Sequence, residues 1–133
     1  MRFIYLGYAD HAKFDSMSEH EIKQAMDECL AYDDLLRGGG HFIGGEALQA
    51  ANQAVTLRYN NGTVQVTDGP FAETREQIGG ILLLEADNME HAVELISKHP
   101  GVRIGPFEIR PADAQTNALI EARNRIHETK PPS

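Results

Sequence analysis

The sequence predicts an α+β fold of the ferredoxin-like type, βαββαβ with an inserted β-hairpin. Several short segments alternate apolar and polar residues with the period of a strand, and two longer segments show the helical period. These segments follow one another as strand, helix, strand, hairpin, strand, helix, strand. Without the hairpin, that order is the split βαβ arrangement. A chain of 133 residues is long enough for one such domain.

The first half of the chain predicts a strand, a helix and a second strand. Residues 2–8 alternate and are rich in aromatic and β-branched types, as in a strand. Ser18 and Glu21 have the spacing of a capping box, which predicts the start of a helix. Apolar residues then recur at helical spacing, namely Ile22, Ala25, Met26, Cys29, Leu30 and Leu36. The glycines at 38–40 predict the end of this helix, and residues 41–48 predict a strand.

The second half predicts a hairpin, a buried strand, a helix and a last strand. Residues 55–59 and 63–66 flank an Asn-Gly pair, which is a strong hairpin signal. The continuous apolar run from 79 to 85 predicts a buried strand. Asn88 is expected to cap a helix that ends before Pro100, and residues 103–110 predict the last strand.

The chain divides into a domain at residues 1–112 and a C-terminal helical extension and tail at residues 113–133. Asp113 can cap a helix whose apolar face is thin, so this helix should need tertiary packing. We expect it to lie against the domain or across a dimer. Its inward residues should be Ala118, Leu119, Ala122 and Ile126. Residues 130–133 are expected to lack regular structure.

Composition narrows the function classes. The formal net charge of -8 argues against nucleic-acid binding, which needs a clustered basic face. No segment is apolar enough to cross a bilayer, and the N-terminus lacks a signal-peptide pattern. The single cysteine, Cys29, excludes an intramolecular disulfide, so a cytoplasmic location is expected. No metal-ligand spacing or nucleotide-binding glycine loop occurs, so neither a metal nor a cofactor is predicted.

The most informative motif is Asp68-Gly69-Pro70-Phe71. Gly69 permits backbone conformations that other residues avoid, and Pro70 fixes the next φ angle. Together they should direct Asp68 and Phe71 rigidly, as in a ligand-binding or catalytic loop. The alternative is an ordinary tight turn that is capped by the Asp side chain.

Residues 66–80 read Val-Thr-Asp-Gly-Pro-Phe-Ala-Glu-Thr-Arg-Glu-Gln-Ile-Gly-Gly. This run closely resembles the signature of the DGPF branch of the YCII-related family. The likeness extends to segments 2–8, 44–49, 99–101 and 108–111. It implies a ferredoxin-like dimer in which two sheets pack into an α/β barrel. It also implies an acid–base pair of an Asp and a His at the end of a cleft.

Asp68 matches the Asp of this family motif, whereas the His has no clear equivalent in the first helix. The nearest histidines are His20 and His41, and Cys29 stands where the His is sought. The predicted topology separately favours a homodimer, because two helices cover only one face of the sheet. A large uncovered apolar face is typical of an association surface.

Asp33 is a second candidate acid–base residue. It lies on the apolar stripe of the first long helix, where an unpaired carboxylate is costly. One interpretation is that the helix borders a polar cleft that also receives Asp68, so that one of the two carboxyl groups acts as an acid. The alternative is a frayed helix end at which Asp33 pairs with Arg37.

The remaining site candidates are ligand-binding residues. They are Cys29, Phe71, Gly69, Pro70 and His41. Cys29 has an alternative role as a small core residue. Five further aromatic side chains could line a pocket for a small cyclic or unsaturated ligand or could belong to the core, namely Tyr5, Tyr8, Phe42, Tyr59 and Phe107. Most of them are interpreted as core. The other histidines, including His99, are interpreted as turn or surface residues.

Two function classes follow. The first is an enzyme that acts on a small organic acid or lactone by proton transfer with elimination or isomerisation, with Asp68 as the acid or base. The resemblance of the family to muconolactone-isomerase-like dimeric barrels suggests this class. The alternative is a non-catalytic ligand-binding or regulatory domain, because DGPF proteins often accompany extracytoplasmic-function sigma factors. The incomplete dyad favours the second class, and the rigid motif favours the first.

Overall fold

The computed structural model describes residues 1–128, so the tail at residues 130–133 lies outside the described part. The strands are β1 (Arg2–Asp10), β2 (Phe42–Ala47), β3 (Val55–Asn60), β4 (Thr63–Asp68), β5 (Glu76–Glu85) and β6 (Phe107–Pro111). The α-helices are α1 (His11–Asp15), α2 (Glu19–Gly38), α3 (Met89–Ser97) and α4 (Ala114–Glu128). None of these helices has the length and apolar character needed to span a membrane.

Four strands form one sheet in the order β2-β5-β1-β6. All neighbours in it are antiparallel. Tyr5 on β1 lies opposite Leu82 of β5 and Ile109 of β6. The fold is therefore a mixed α+β fold with an antiparallel sheet, and it is consistent with the predicted ferredoxin-like arrangement.

The core lies between this sheet and helices α2 and α3. Its buried side chains are Phe3, Tyr5, Leu36, Leu84, Ala86, Ala92 and Ile96. The Tyr5 hydroxyl donates a hydrogen bond to the Ala92 carbonyl at 2.9 Å, which satisfies a polar atom that would otherwise be costly to bury. Burial raises the pKa of Tyr5 to about 12. The phenol therefore stays a donor and ties the central strand to α3.

Local signals predicted the starts of α2, α3 and α4 correctly. Ser18 Oγ accepts from the Glu21 amide, and the Glu21 carboxylate accepts from the Ser18 amide, so the capping box is confirmed. The Asn88 side chain caps α3 at the His91 amide. Asp113 Oδ1 accepts from the amides at the start of α4.

Strand boundaries differ from the predictions. Strand β5 begins at Glu76, three residues early, because its polar start pairs with the end of β1. Strand β6 begins at Phe107 and not at 103. Residues Pro100–Arg103 form a 3₁₀ turn instead, and the His99 side chain accepts from the Gly101 amide at its start. The short helix α1 was not predicted.

Strands β3 and β4 pair only with each other in the described chain. Asn61 and Gly62 have φ angles of 51° and 80°, as in the type I′ turn that Asn-Gly favours. The register places five apolar side chains on one face, namely Val55, Leu57, Tyr59, Val64 and Val66. Each of them is more than half exposed. This surface is called the hairpin face below.

Helix α4 contacts the domain near the start of β1. Arg2 and Glu121 form an ion pair at 3.6 Å, and Asn117 and Ala122 are half-buried. Leu119, which was expected to face inward, is instead 71% exposed in the single chain. The apolar side of α4 is therefore only partly used within one chain.

Candidate acid–base site

The candidate site is built on a pair between Asp33 and His99. Asp33 lies on the inner face of α2, and His99 follows α3, so packing of both helices on the same side of the sheet brings them together. His99 Nε2 lies 2.9 Å from Asp33 Oδ1, and the two side chains are only 6% and 15% exposed. Arg37 bonds instead to Asp34 at 2.7 Å, so the proposed Asp33–Arg37 pair is wrong.

The hydrogen bonds around His99 define its neutral form. The Gly101 amide donates to His99 Nδ1 at 3.0 Å, which requires a lone pair on that nitrogen. The ring hydrogen of neutral His99 is therefore on Nε2, where it is donated to Asp33. Both ring nitrogens thus have partners. In the part of the chain that the structure describes, no hydrogen bond reaches Oδ2 of Asp33.

Aromatic packing fixes the orientation of the imidazole. The rings of Tyr32 and His99 meet edge to face, with centroids 5.2 Å apart. The Phe107 ring lies 5.8 Å away on a tilted plane. A Cβ on Gly101 would lie 3.0 Å from His99 Nδ1, so glycine permits the close approach of backbone to ring. The Asp33 carboxylate is therefore held by a donor that has little freedom to rotate.

Asp33 and His99 line a cavity of about 510 Å³ that is partly open to solvent. It is called the Asp33 cavity below. This volume is in the usual range for a small-molecule site. Its walls are mainly apolar and aromatic, with contributions from Tyr8, Phe14, Leu30, Phe42, Leu82 and Phe107. Within residues 1–128, no group of three or more His, Cys, Asp or Glu side chains could hold a metal ion. The cavity thus presents the oriented carboxylate of Asp33 beside apolar surface.

Cys29 lies one turn before Asp33 and lines the same cavity. Burial raises the pKa of the Cys29 thiol, and the charges of Asp33 and Glu28 raise it further, although Arg103 and the Gly101 amide oppose them. The thiol is therefore protonated at neutral pH and is a poor nucleophile.

We expect alkylation of Cys29 by iodoacetamide to be slower in the folded protein than in denaturant between pH 7 and 9. In the folded protein the alkylation rate should rise with pH, with a midpoint at a higher pH than that of the unfolded thiol. The pKa of the thiol is higher in the folded state than in the unfolded state, so its contribution to the free energy of unfolding is complete below the unfolded pKa. This contribution is lost as the pH rises through the folded-state pKa. Mass spectrometry can follow the single adduct, since the chain has one cysteine. Equal rates in both states would contradict this prediction.

The structure places the other predicted residues elsewhere. Asp68 ends β4 opposite Val55, is exposed and does not line the Asp33 cavity. The expected shared cleft of Asp68 and Asp33 is therefore not formed within one chain. His41 lies outside this cavity too, with Nδ1 3.1 Å from the Glu85 carbonyl.

The Gly-Pro-Phe part of the motif directly follows β4, at the open end of the hairpin. Gly69 has a φ of 107° and donates its amide to the Ala54 carbonyl at 2.8 Å. Pro70 and Phe71 line a second cavity of about 880 Å³ beside the start of β5. Phe71 is 78% exposed, and its ring centroid lies 5.3 Å from the guanidinium carbon of Arg58.

His99 was interpreted as a turn or surface residue, which is wrong, because it is buried and paired. One signal could have led to it: a carboxylate on an apolar helix face needs a buried partner. The resemblance also implied a histidine. That histidine was sought only near α2, whereas the histidine that pairs with Asp33 follows α3.

Comparison with known proteins identifies related sequences. Residues 1–112 match the YCII-related domain. The uncharacterized protein R00369 of Rhizobium meliloti (strain 1021) is 30% identical to the chain over 115 residues, which cover 84% of this chain and 91% of that protein. By the match over residues 1–112, the chain belongs to the YCII-related family.

Proposed function

We propose that the protein binds a small organic acid or lactone in the Asp33 cavity and transfers a proton through Asp33. The observation that carries this proposal is the 2.9 Å bond by which His99 holds one oxygen of a carboxylate at a cavity wall. His99 is a positioning residue, because both its nitrogens are already engaged. Asp33 is the group that meets the bound molecule.

The chemistry follows from the position of the carboxylate. Asp33 accepts a proton from a carbon next to a carbonyl group, and the C–H electrons move to the carbonyl oxygen. Return of the proton to another carbon gives isomerisation. Departure of a leaving group from the neighbouring carbon gives elimination instead. General acid–base catalysis of this kind contributes about 10²- to 10⁴-fold in rate.

The test is exchange of substrate hydrogen with solvent. A panel of small oxo acids and lactones is incubated with the protein in D₂O, and deuterium incorporation is followed by NMR. We expect Asp33→Asn to lower the exchange rate by about 100-fold or more. Asp27→Asn, an exposed site on the same helix, is the matched control and should behave like wild type.

Asp68→Asn belongs in the same experiment, since Asp68 is the motif residue outside the cavity. Loss of exchange in Asp68→Asn, but not in Asp33→Asn, would move the proton-transfer role to Asp68. Ligand binding without exchange in the wild type would favour the non-catalytic alternative, a ligand-binding or regulatory domain linked to a sigma factor.

We also propose that the protein is a homodimer. The hairpin face is exposed, although an isolated two-stranded hairpin is only marginally stable in water. The sheet face opposite the helices carries half-buried Ile4, Leu6, Ile81 and Leu83. A second copy of the chain would cover such surfaces in a two-fold arrangement.

Light scattering at micromolar concentration should give twice the mass of the 14.7 kDa chain. The double substitution Leu57→Asp and Val66→Asp introduces charges opposite each other on the hairpin face and should shift the mass toward that of a monomer. Gln65→Asp with Thr67→Asp, both exposed on the polar face of the same hairpin, is the control. A monomeric wild type would refute the proposal.

A further inference from the structure

We infer that Arg37 is the anion-binding residue of the Asp33 cavity, and that the ligand carries a carboxylate about one helical turn from the carbon that meets Asp33. This inference rests on the proposed function and adds the orientation of its substrate. It concerns a residue that neither the motif nor the acid–base pair includes.

Arg37 lies next to Asp33 on the wall of the cavity. Arg37 follows Asp33 by four residues on α2, so both side chains project from the same side of the helix. Both line the same cavity. Four residues advance an α-helix by about 6 Å, so the two side chains leave the helix about one turn apart along the cavity wall.

Arg37 is also held in place. Its guanidinium carbon lies 4.1 Å from the centroid of the Phe42 ring, and Phe42 lines the cavity as well. One nitrogen donates to Asp34 at 2.7 Å. A guanidinium has five donors, so most of them stay available to a ligand. Stacking on an aromatic face orients the plane in which the guanidinium can donate to a carboxylate.

The charges of the cavity also favour an anion at Arg37. Among the residues 1–128 that line it, Arg37 is the only arginine or lysine, whereas Asp33 and Glu46 contribute carboxylates. An anionic group on a ligand is attracted by Arg37 and repelled by Asp33 and Glu46. The ligand is therefore oriented with its carboxylate at Arg37 and an uncharged C–H group toward Asp33. Apolar atoms between these ends would contact the aromatic walls.

The experiment compares two probes of nearly the same shape, benzoate and benzamide, which differ in charge. Binding to the full-length protein is titrated by amide NMR shifts of Phe42 and Gly101. We expect wild type to bind benzoate about tenfold more tightly than benzamide. Arg37→Gln should abolish this preference and leave benzamide binding within about twofold of wild type. Arg37→Lys should keep part of it, because it keeps the charge but not the paired donors.

Arg58→Gln is the control, because Arg58 stacks on Phe71 at the open end of the hairpin and lies outside the Asp33 cavity. It should keep the full preference for benzoate. Circular dichroism verifies that each variant is folded. The inference is overturned if wild type does not bind benzoate, if it binds both probes equally, or if the preference survives in Arg37→Gln.

Asp33→Asn separates this inference from the proposed function. If Arg37 determines benzoate binding but Asp33→Asn leaves deuterium exchange unchanged, the anion site stands and the proton-transfer role of Asp33 fails. If exchange requires Asp33 but the preference for benzoate over benzamide does not depend on Arg37, the proposed function stands and the substrate orientation is wrong.

Discussion

Gly105→Ala is expected to destabilise the fold by about 3 kcal/mol or more, at the upper end of the cost of overpacking. A Cβ at this position would lie 1.8 Å from the Tyr8 carbonyl oxygen and 2.9 Å from its carbon. Both atoms belong to the backbone, so no side-chain rotation can relieve the clash. The strand segment around Tyr8 would have to move, although the Tyr8 amide is bonded to the Pro106 carbonyl at 2.9 Å.

Urea denaturation followed by circular dichroism measures this loss. Gly44→Ala is the matched control, because a Cβ on Gly44 meets no atom within 4 Å. Its midpoint should stay close to that of wild type. A Gly105→Ala midpoint equal to that of Gly44→Ala would show that the contact between β1 and the loop before β6 is not tight.

The same substitution should weaken the candidate site. The Gly105 amide donates to the Gly101 carbonyl at 3.1 Å, and Gly101 in turn donates to His99. A shift at Gly105 is therefore transmitted to the ring that holds Asp33.

The sequence predicts those parts of the fold that depend on neighbours along the chain. The Ser18 capping box, the Asn88 cap and the Asn61-Gly62 turn all combine side chain and backbone within a few residues. The element order then limits the topology, because few arrangements connect strands and helices in this sequence. The sheet order thus follows from local signals and general rules of connection.

The parts that could not be predicted depend on contacts between distant segments. The polar start of β5 is a strand only because β1 extends to Asp10 and pairs with it. Asp33 was identified as a carboxylate on an apolar helix face, but its partner is 66 residues away. Periodicity can show that such a residue needs a partner, whereas the packing of α2 and α3 decides which residue meets it.

A comparison of His99→Asn with His99→Gln is expected to separate the two bonds of this histidine. The asparagine oxygen can replace Nδ1 and accept from the Gly101 amide, but it leaves Asp33 without its donor. The glutamine nitrogen reaches as far as Nε2 and can still donate to Asp33, but it leaves the Gly101 amide without an acceptor. Each variant therefore keeps one bond and loses the other.

Both variants should lose stability, and the asparagine variant should lose more. A lost neutral bond costs about 1 kcal/mol, whereas a half-buried carboxylate that loses its donor costs about 2–3 kcal/mol. Urea denaturation of both variants beside wild type gives this order. If the glutamine variant were the less stable, the bond that caps the 3₁₀ turn would outweigh the bond to Asp33.

Deuterium exchange should separate the variants far more than stability does. Because His99 acts by holding Asp33, His99→Gln should keep exchange within about tenfold of wild type, and His99→Asn should lower it by about 100-fold. If His99 had a purely structural role, the exchange rate would fall only as the fraction of folded protein falls. Fully folded samples of both variants would then be nearly as active as wild type. If both variants lost exchange equally, the imidazole itself would carry the proton, and Asp33 would be the residue that orients it.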